Sequence, residues 1–213
     1  MIEITARSLQ VTLSALAIST VLGIPAGTAL ALVRFPARRL FTAFIYTGMG
    51  FPPVVIGLFV YLILSRSGPL GTLHWLFTVQ AMVVAQIILA TPVIIGITTS
   101  SVLGVDPALR AQLRTLGATR WQVIRTILLE ARFGVILGIV AGFGSIISEV
   151  GAVMLVGGNI DGSTRVLTTA IVLDTRQGQF ALALALGIIL LLLSFVANLL
   201  MMMGQGRFSE ESS

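Results

Sequence analysis

Long apolar runs separated by short polar stretches organise the chain. They lie at Leu9–Val33, Leu40–Leu64, Leu76–Ile97, Phe133–Val156 and Phe180–Met203. Each is long enough to carry the ~20 residues that a helix needs to cross ~30 Å of hydrocarbon. Backbone groups in lipid must satisfy one another, so all five runs are predicted to be helices. A further run, Val166–Leu173, is too short to cross and reads as a helix at the interface or folded back into a cavity. The pattern predicts an all-α, polytopic membrane bundle of about five transmembrane helices, with 1–213 as a single domain. The first run is read as a retained span and not as a signal peptide. Glu3 and Arg7 precede it, it is long, and no clear small-residue cleavage site follows.

A polar loop over 98–132 separates the third and fourth runs, and its core, Asp106 to Arg132, has a helical pattern of its own. Asp106 is a suitable N-cap and Pro107 a suitable first helical residue. Leu109, Leu113 and Leu116 follow on one face, flanked by Arg110 and Arg114. Gly117 stands where a left-handed residue ends a helix. Thr119 and Gln122 have the spacing of a capping box, and Trp121, Ile124, Ile127 and Leu128 form a second stripe. A charged helix–Gly–helix beside a membrane reads as a docking surface for a soluble partner.

Composition supports the membrane assignment: charged residues are 10% and hydrophobic ones 56%, with a mean hydropathy of +1.05. All 13 basic side chains are Arg. Arg34, Arg38, Arg39, Arg110, Arg114, Arg120, Arg125, Arg132 and Arg207 fall on one side of the five-span layout. Arg7, Arg66, Arg165 and Arg176 fall on the other. The positive-inside rule then places the 98–132 loop and the C-terminus in the cytoplasm and the N-terminus outside. No basic patch interleaved with aromatics extends into a soluble domain, so nucleic acid is not an expected partner.

Candidate chemistry is sparse. Without Lys the chain cannot build a P-loop, so any ATP-driven work needs a separate subunit. Without Cys it has no disulfide or thiolate metal site, and no His/Asp/Glu spacing suggests a metal. His74, beside Trp75, reads as an interfacial residue. No catalytic residues and no cofactor in this chain are expected. Glu149 is the ionisable side chain set well inside a run; it either lines a gate or bonds to Ser, Thr or Gln on a neighbouring helix. Gly48, Gly50, Pro52 and Pro53 should kink or break the second span, and Pro92 should bend the third. Broken helices often line a pathway, which makes Pro52, Pro53, Glu149 and the loop residue Asn159 candidate path residues. Gly23 and Gly27, and Gly134, Gly138 and Gly142, offer small faces for close helix contact. The segment Gly157–Arg165 reads as a solvated outer turn whose Arg165 could meet an anion.

The run from Arg114 to Trp121, followed by Ile127 and Leu129, resembles the cytoplasmic coupling loop of type I ABC importer permeases. That family's motif is Glu-Ala-Ala, three residues, Gly, nine residues, Ile-x-Leu-Pro. Gly117, Ile127 and Leu129 match it; Ala111, Gln112 and Leu113 replace the opening triplet, and Glu130 replaces the Pro. Ser148–Ala152, Gly157–Ile160 and Thr164–Thr169 are similar to the molybdate and tungstate branch. The run GGNIDGSTRVLTTAI, with Gly178–Ala185 after it, looks most like tungstate permeases.

The resemblance implies an oxyanion permease, tungstate first, with molybdate, sulfate or another small solute as alternatives. From a different class, a non-transporting membrane anchor or assembly factor remains an alternative, although it needs neither kinked spans nor a docking loop. The implied partners are a second copy of the chain, cytoplasmic ABC ATPase subunits and an extracytoplasmic solute-binding protein. The implied location is a bacterial or archaeal plasma membrane. The ATPase-coupling residues it points to are Leu113, Arg114, Leu116, Gly117, Ala118, Arg120 and Trp121.

Overall fold

A computed structural model describes residues 1–210. Among these there is no strand. In order, the α-helices are α1 (Ile2–Leu32), α2 (Arg38–Gly48), α3 (Pro53–Leu64), α4 (Val79–Leu103), α5 (Pro107–Thr115), α6 (Arg120–Glu130), α7 (Arg132–Ile147), α8 (Gly151–Gly157), α9 (Leu167–Arg176) and α10 (Phe180–Glu210). A 3-10 turn, Gly71–Leu73, joins α3 to α4. The side chain of Arg207 and residues 211–213, where the C-terminal end was expected to be cytoplasmic, lie outside the described set.

Three helices, α1, α4 and α10, are each long and apolar enough to cross a membrane, or up to five spans exist if each bent helix pair counts as one. The second apolar run is not one helix. It divides into α2 and α3, which meet at 103°. Pro52 and Pro53 cause the division: neither has an N–H to donate, and Pro53 starts α3 as its first residue. The fourth run also departs from a continuous span, because α7 stops at Ile147 and α8 restarts at Gly151. The third run shifts toward the C-terminus, with α4 ending at Leu103 instead of Ile97. Pro92 lies inside α4 and does not interrupt it. Helix α1 starts seven residues earlier than the hydropathy boundary, at Ile2.

Helix α4 is the central post, packed against α1, α2, α3, α7 and α8. Glycines set the approach. A Cβ at Gly23 would come within 2.7 Å of Ile94 Cγ2, and one at Gly27 within 2.8 Å of the Ile95 carbonyl oxygen. On α7, Gly134, Gly138 and Gly142 all face α4, against Ser101, Ile97 and Ile94. Thr99 on α4 donates to the Gly27 carbonyl at 3.2 Å, an interhelical bond that this close approach permits. By contrast α10 lies at the periphery, with only 11% of its most apolar stretch buried. It packs on α9 through Leu186 against Leu167 and Ala170. The rest of its apolar surface suits lipid contact.

The two ends of the bundle differ in charge. At one end the last turn of α1 meets α5 and α6, bringing Arg110, Arg114 and Arg120 beside Leu32 and Val33. There Arg38 donates to the Leu30 and Ala31 carbonyls and closes the C-terminus of α1. At the opposite end Arg7 reaches the Gly162 carbonyl, and Ser8 accepts from the Leu167 N–H. The grouping of arginines that the span count required is therefore present in three dimensions for these residues.

Candidate coupling surface and membrane-interior breaks

Each turn of the α5–α6 pair has a local cause. Asp106 Oδ1 accepts from Ala108 N at 2.8 Å and caps α5. At its other end, Ala118 N donates to Leu113 O at 3.0 Å and Gly117 N to Arg114 O at 3.1 Å. This bond pair is a Schellman termination, with Gly117 as the left-handed residue at φ +78°. Nothing lies within 4 Å of a Cβ placed on Gly117, so the constraint there is purely backbone. Two residues after Gly117, Thr119 and Gln122 close a reciprocal capping box, with Gln122 N to Thr119 Oγ1 at 3.3 Å and Thr119 N to Gln122 Oε1 at 2.7 Å.

Packing then sorts the candidate docking residues into two groups. Val123, Ile127 and Ala131 are buried against Ala31, Val102 and Val135, and Leu113 and Ala118 lie against the same cluster. Ile127, one of the matching motif positions, is thus an internal anchor. Leu116 and Trp121 instead project outward, 84% and 72% exposed. The sequence pattern grouped Leu109, Leu113 and Leu116 as one face and put Trp121 in a stripe with Ile127. The Schellman turn separates them, because Leu116 is already the C-cap and leaves the helical register. Arg114 and Arg120, both exposed, line a cavity with Leu32 and Val33.

Inside the bundle the two broken runs face each other. A Cβ at Gly151 would come within 2.6 Å of Val54 Cγ2, and one at Gly57 within 2.5 Å of Ala152 Cα. Helices α3 and α8 therefore touch backbone to backbone just beyond their breaks, and this contact brings Pro52, Pro53 and Glu149 into one region. Asn159 does not join them. It lies past the far end of α8, in the left-handed region at φ +50°.

Glu149 is buried but is not part of a continuous span. It sits in the gap between α7 and α8, where its Oε1 accepts from Ala152 N at 2.9 Å. The carboxylate caps α8 and meets one of the N–H groups that the new helix leaves free. The neighbour that bonds across helices is Thr168 of α9, whose Oγ1 donates to the Glu149 carbonyl at 3.0 Å. On the other side of the break, Gln86 of α4 donates to the Ile146 carbonyl at 3.1 Å. Gln86 and Thr168 were not singled out from the sequence. A neutral amide in the middle of an apolar helix was the available signal for Gln86; Thr168 lies in the Thr164–Thr169 stretch that carries the resemblance and in the run too short to cross, but nothing in the sequence pairs it with Glu149.

The segment after α8 is a closed turn whose tip, Ile160–Ser163, is exposed, as a solvated outer turn requires. Buried Thr164 donates to the Gly157 carbonyl and accepts from Ile160 N. Arg165, the residue of this turn that could meet an anion, is paired with Asp161 at 3.0 Å. His74 is the C-cap of the 3-10 turn at the same end.

Comparison with known proteins fits this geometry. A chain of the MetNI methionine ABC transporter in inward-facing form superposes with a TM-score of 0.70 at 22% identity, over 90% of this chain and 89% of that one. A bacterial alginate ABC transporter chain gives a TM-score of 0.76 at 20% identity, over 94% and 76%. At these identities the likeness concerns the fold. Among curated relatives, a probable anion ABC transporter permease protein of Haloferax volcanii is 44% identical, over 94% of this chain and 88% of that protein. The tungstate uptake system permease protein TupB of Peptoclostridium acidaminophilum is 41% identical, over 90% and 84%. The model of the family described as binding-protein-dependent transport system inner membrane component matches residues 19–208. The chain belongs to that family of membrane permease components.

Proposed function

We propose that this chain is the membrane-spanning permease subunit of an ATP-driven importer that carries an oxyanion, tungstate first, into the cytoplasm. The observation that carries the reading is the exposed apolar pair Leu116 and Trp121, held on a Gly117 turn outside the bundle in a member of this family. Two apolar side chains on a rigid tip suit a groove in a soluble partner. In this reading the partner is a separate ATPase subunit, and the chain performs no chemistry itself. A second copy completes the translocation path, and an extracytoplasmic binding protein delivers the anion. ATP binding and anion delivery bias the same inward–outward equilibrium, the coupling running through α5 and α6.

Support for tungstate comes from relatives named as tungstate permeases at 41% and 35% identity. A molybdenum permease of Escherichia coli stands at 30% and a sulfate permease of Synechocystis at 29%, which keeps those anions as the second reading.

The test is reconstitution of the permease with its ATPase and binding protein in sealed vesicles. Tungstate should accumulate only with ATP and binding protein together, and molybdate and sulfate should compete more weakly. Absence of any anion uptake, with an ATPase that still binds the permease, would sink the transport reading. Uptake of molybdate or sulfate in preference would replace tungstate alone.

A further inference from the structure

We propose that the Arg-rich end of α1 carries a binding site for one anionic phospholipid, beside the Leu116–Trp121 tip offered to the ATPase. Two adjoining cavities carry the inference. The first, of about 470 Å³, is lined by Leu32, Val33, Arg110, Arg114, Arg120 and Val123, among others. Arg110, Arg114 and Arg120 take part in neither of the salt bridges seen among the described residues, Arg7–Glu3 and Arg165–Asp161. The three arginines of the cavity are thus without a carboxylate partner, and their combined charge faces a shared space. The second cavity, of about 250 Å³, is an apolar groove between α1, α2 and α4, walled by Ala26, Ala29, Leu30, Phe35, Phe41 and Ile45. Val33 lines both.

Depth along α1 matches the shape of a lipid. Val33 follows the last turn of the apolar helix, where a membrane-spanning α1 would reach the headgroups. Ala26 lies seven residues earlier, ~10 Å deeper at ~1.5 Å per residue. The cationic cup therefore stands at headgroup level, and the groove runs back from it toward the hydrocarbon. A phosphate in the cup would satisfy arginines that nothing else pairs, and an acyl chain would fill the groove. Arg–phosphate contacts at this level are favourable and selective for anionic over zwitterionic headgroups. A soluble protein partner explains the cup but not the groove, whereas a free anion explains neither the groove nor its depth. The site rests on the bundle's being embedded in a membrane and not on which solute it carries.

Native mass spectrometry of the detergent-purified permease tests this without any transport step. Phosphatidylglycerol and phosphatidylcholine are offered at equal concentration, and inorganic phosphate is added in a separate arm. Phosphatidylglycerol should be retained in preference, and inorganic phosphate should not displace it. Single Arg110→Gln, Arg114→Gln and Arg120→Gln changes should each lower its retention roughly fivefold. Arg125→Gln, outside the cavity, should leave retention unchanged. Ala29→Trp, which fills the groove with every arginine intact, should also lower it. Equal retention of the two lipids, or retention unchanged by the arginine variants, overturns the proposal. No effect of Ala29→Trp, or displacement by inorganic phosphate, leaves a simple anion cup and overturns the lipid assignment. Displacement by the ATPase subunit assigns the arginines to that protein instead.

Discussion

Thr168 Oγ1 donates to the main-chain carbonyl of Glu149 at 3.0 Å, a bond that ties α9 to the gap between α7 and α8. The carbonyl needs this partner because no following helical turn supplies one. Thr168→Val removes the donor and keeps the shape. The melting temperature of the solubilised permease should fall, by the equivalent of about 0.6–2 kcal/mol, the range for membrane hydrogen bonds and newly unsatisfied polar groups. Thr168→Ser should keep most of the stability. Equal loss in both variants would mean that packing of the Thr methyl, and not the bond, holds the break.

Gly57 and Gly144 should respond oppositely to the same change. A Cβ at Gly57 meets Ala152 Cα at 2.5 Å, while one at Gly144 meets nothing within 4 Å. Gly57→Ala should cost ~1–3 kcal/mol by forcing α3 from α8. Ala152→Gly should not rescue it, since the nearest atom is backbone. Gly144→Ala should be neutral or stabilise α7 by about 0.5–1 kcal/mol. Thermal unfolding of the three proteins in one detergent decides the matter.

For Gly117 the penalty is conformational alone. With φ at +78° and open space around it, Gly117→Val should cost about 1 kcal/mol or more. Gly117→Asn should be milder, because Asn tolerates the left-handed region. Co-purification of the ATPase should fall in the order Gly, Asn, Val at equal membrane expression. A Val variant that binds the ATPase normally would falsify a role for this turn in docking.

Leu116 and Leu113 separate docking from folding. Leu116→Ala should release the ATPase in a pull-down with little change in permease stability, at a cost of ~2 kcal/mol or more for a well-buried anchor. Leu113→Ala should destabilise the permease itself, because Leu113 packs against the Val123–Ile127 cluster. Arg120→Ala, an exposed charge, should weaken capture by only ~0–1 kcal/mol. If Arg120→Ala is the most damaging of the three, contact with the ATPase is electrostatic, and it should then fade steeply with salt.

Orientation is checked by labelling. Ser163 is exposed at the Arg7 end and Ala111 at the Arg-rich end. In intact cells a cysteine at Ser163 should react with an impermeant thiol reagent, and one at Ala111 only after permeabilisation. The reverse pattern would overturn the positive-inside orientation and the proposed docking side together.

Local chemistry made the coupling pair readable from sequence. Asp106-Pro107, Gly117 and the Thr119–Gln122 box act over three or four residues, and the structure contains each as the residue types require. Hydropathy likewise settled the helical class, because a backbone in lipid has few ways to satisfy itself. Only tertiary structure decided the rest. Period alone put Leu113 and Leu116 on one face, and packing against Val123 and Ile127 drew one inward and left the other out. Hydropathy could not show that the fourth run is broken, since Ser148 to Val150 is too short an interruption to lower an average over twenty residues. The break is stable because Gln86 of α4 and Thr168 of α9 supply hydrogen bonds to the Ile146 carbonyl before it and the Glu149 carbonyl within it. Sequence determines which groups a chain must satisfy; the fold decides which distant groups satisfy them.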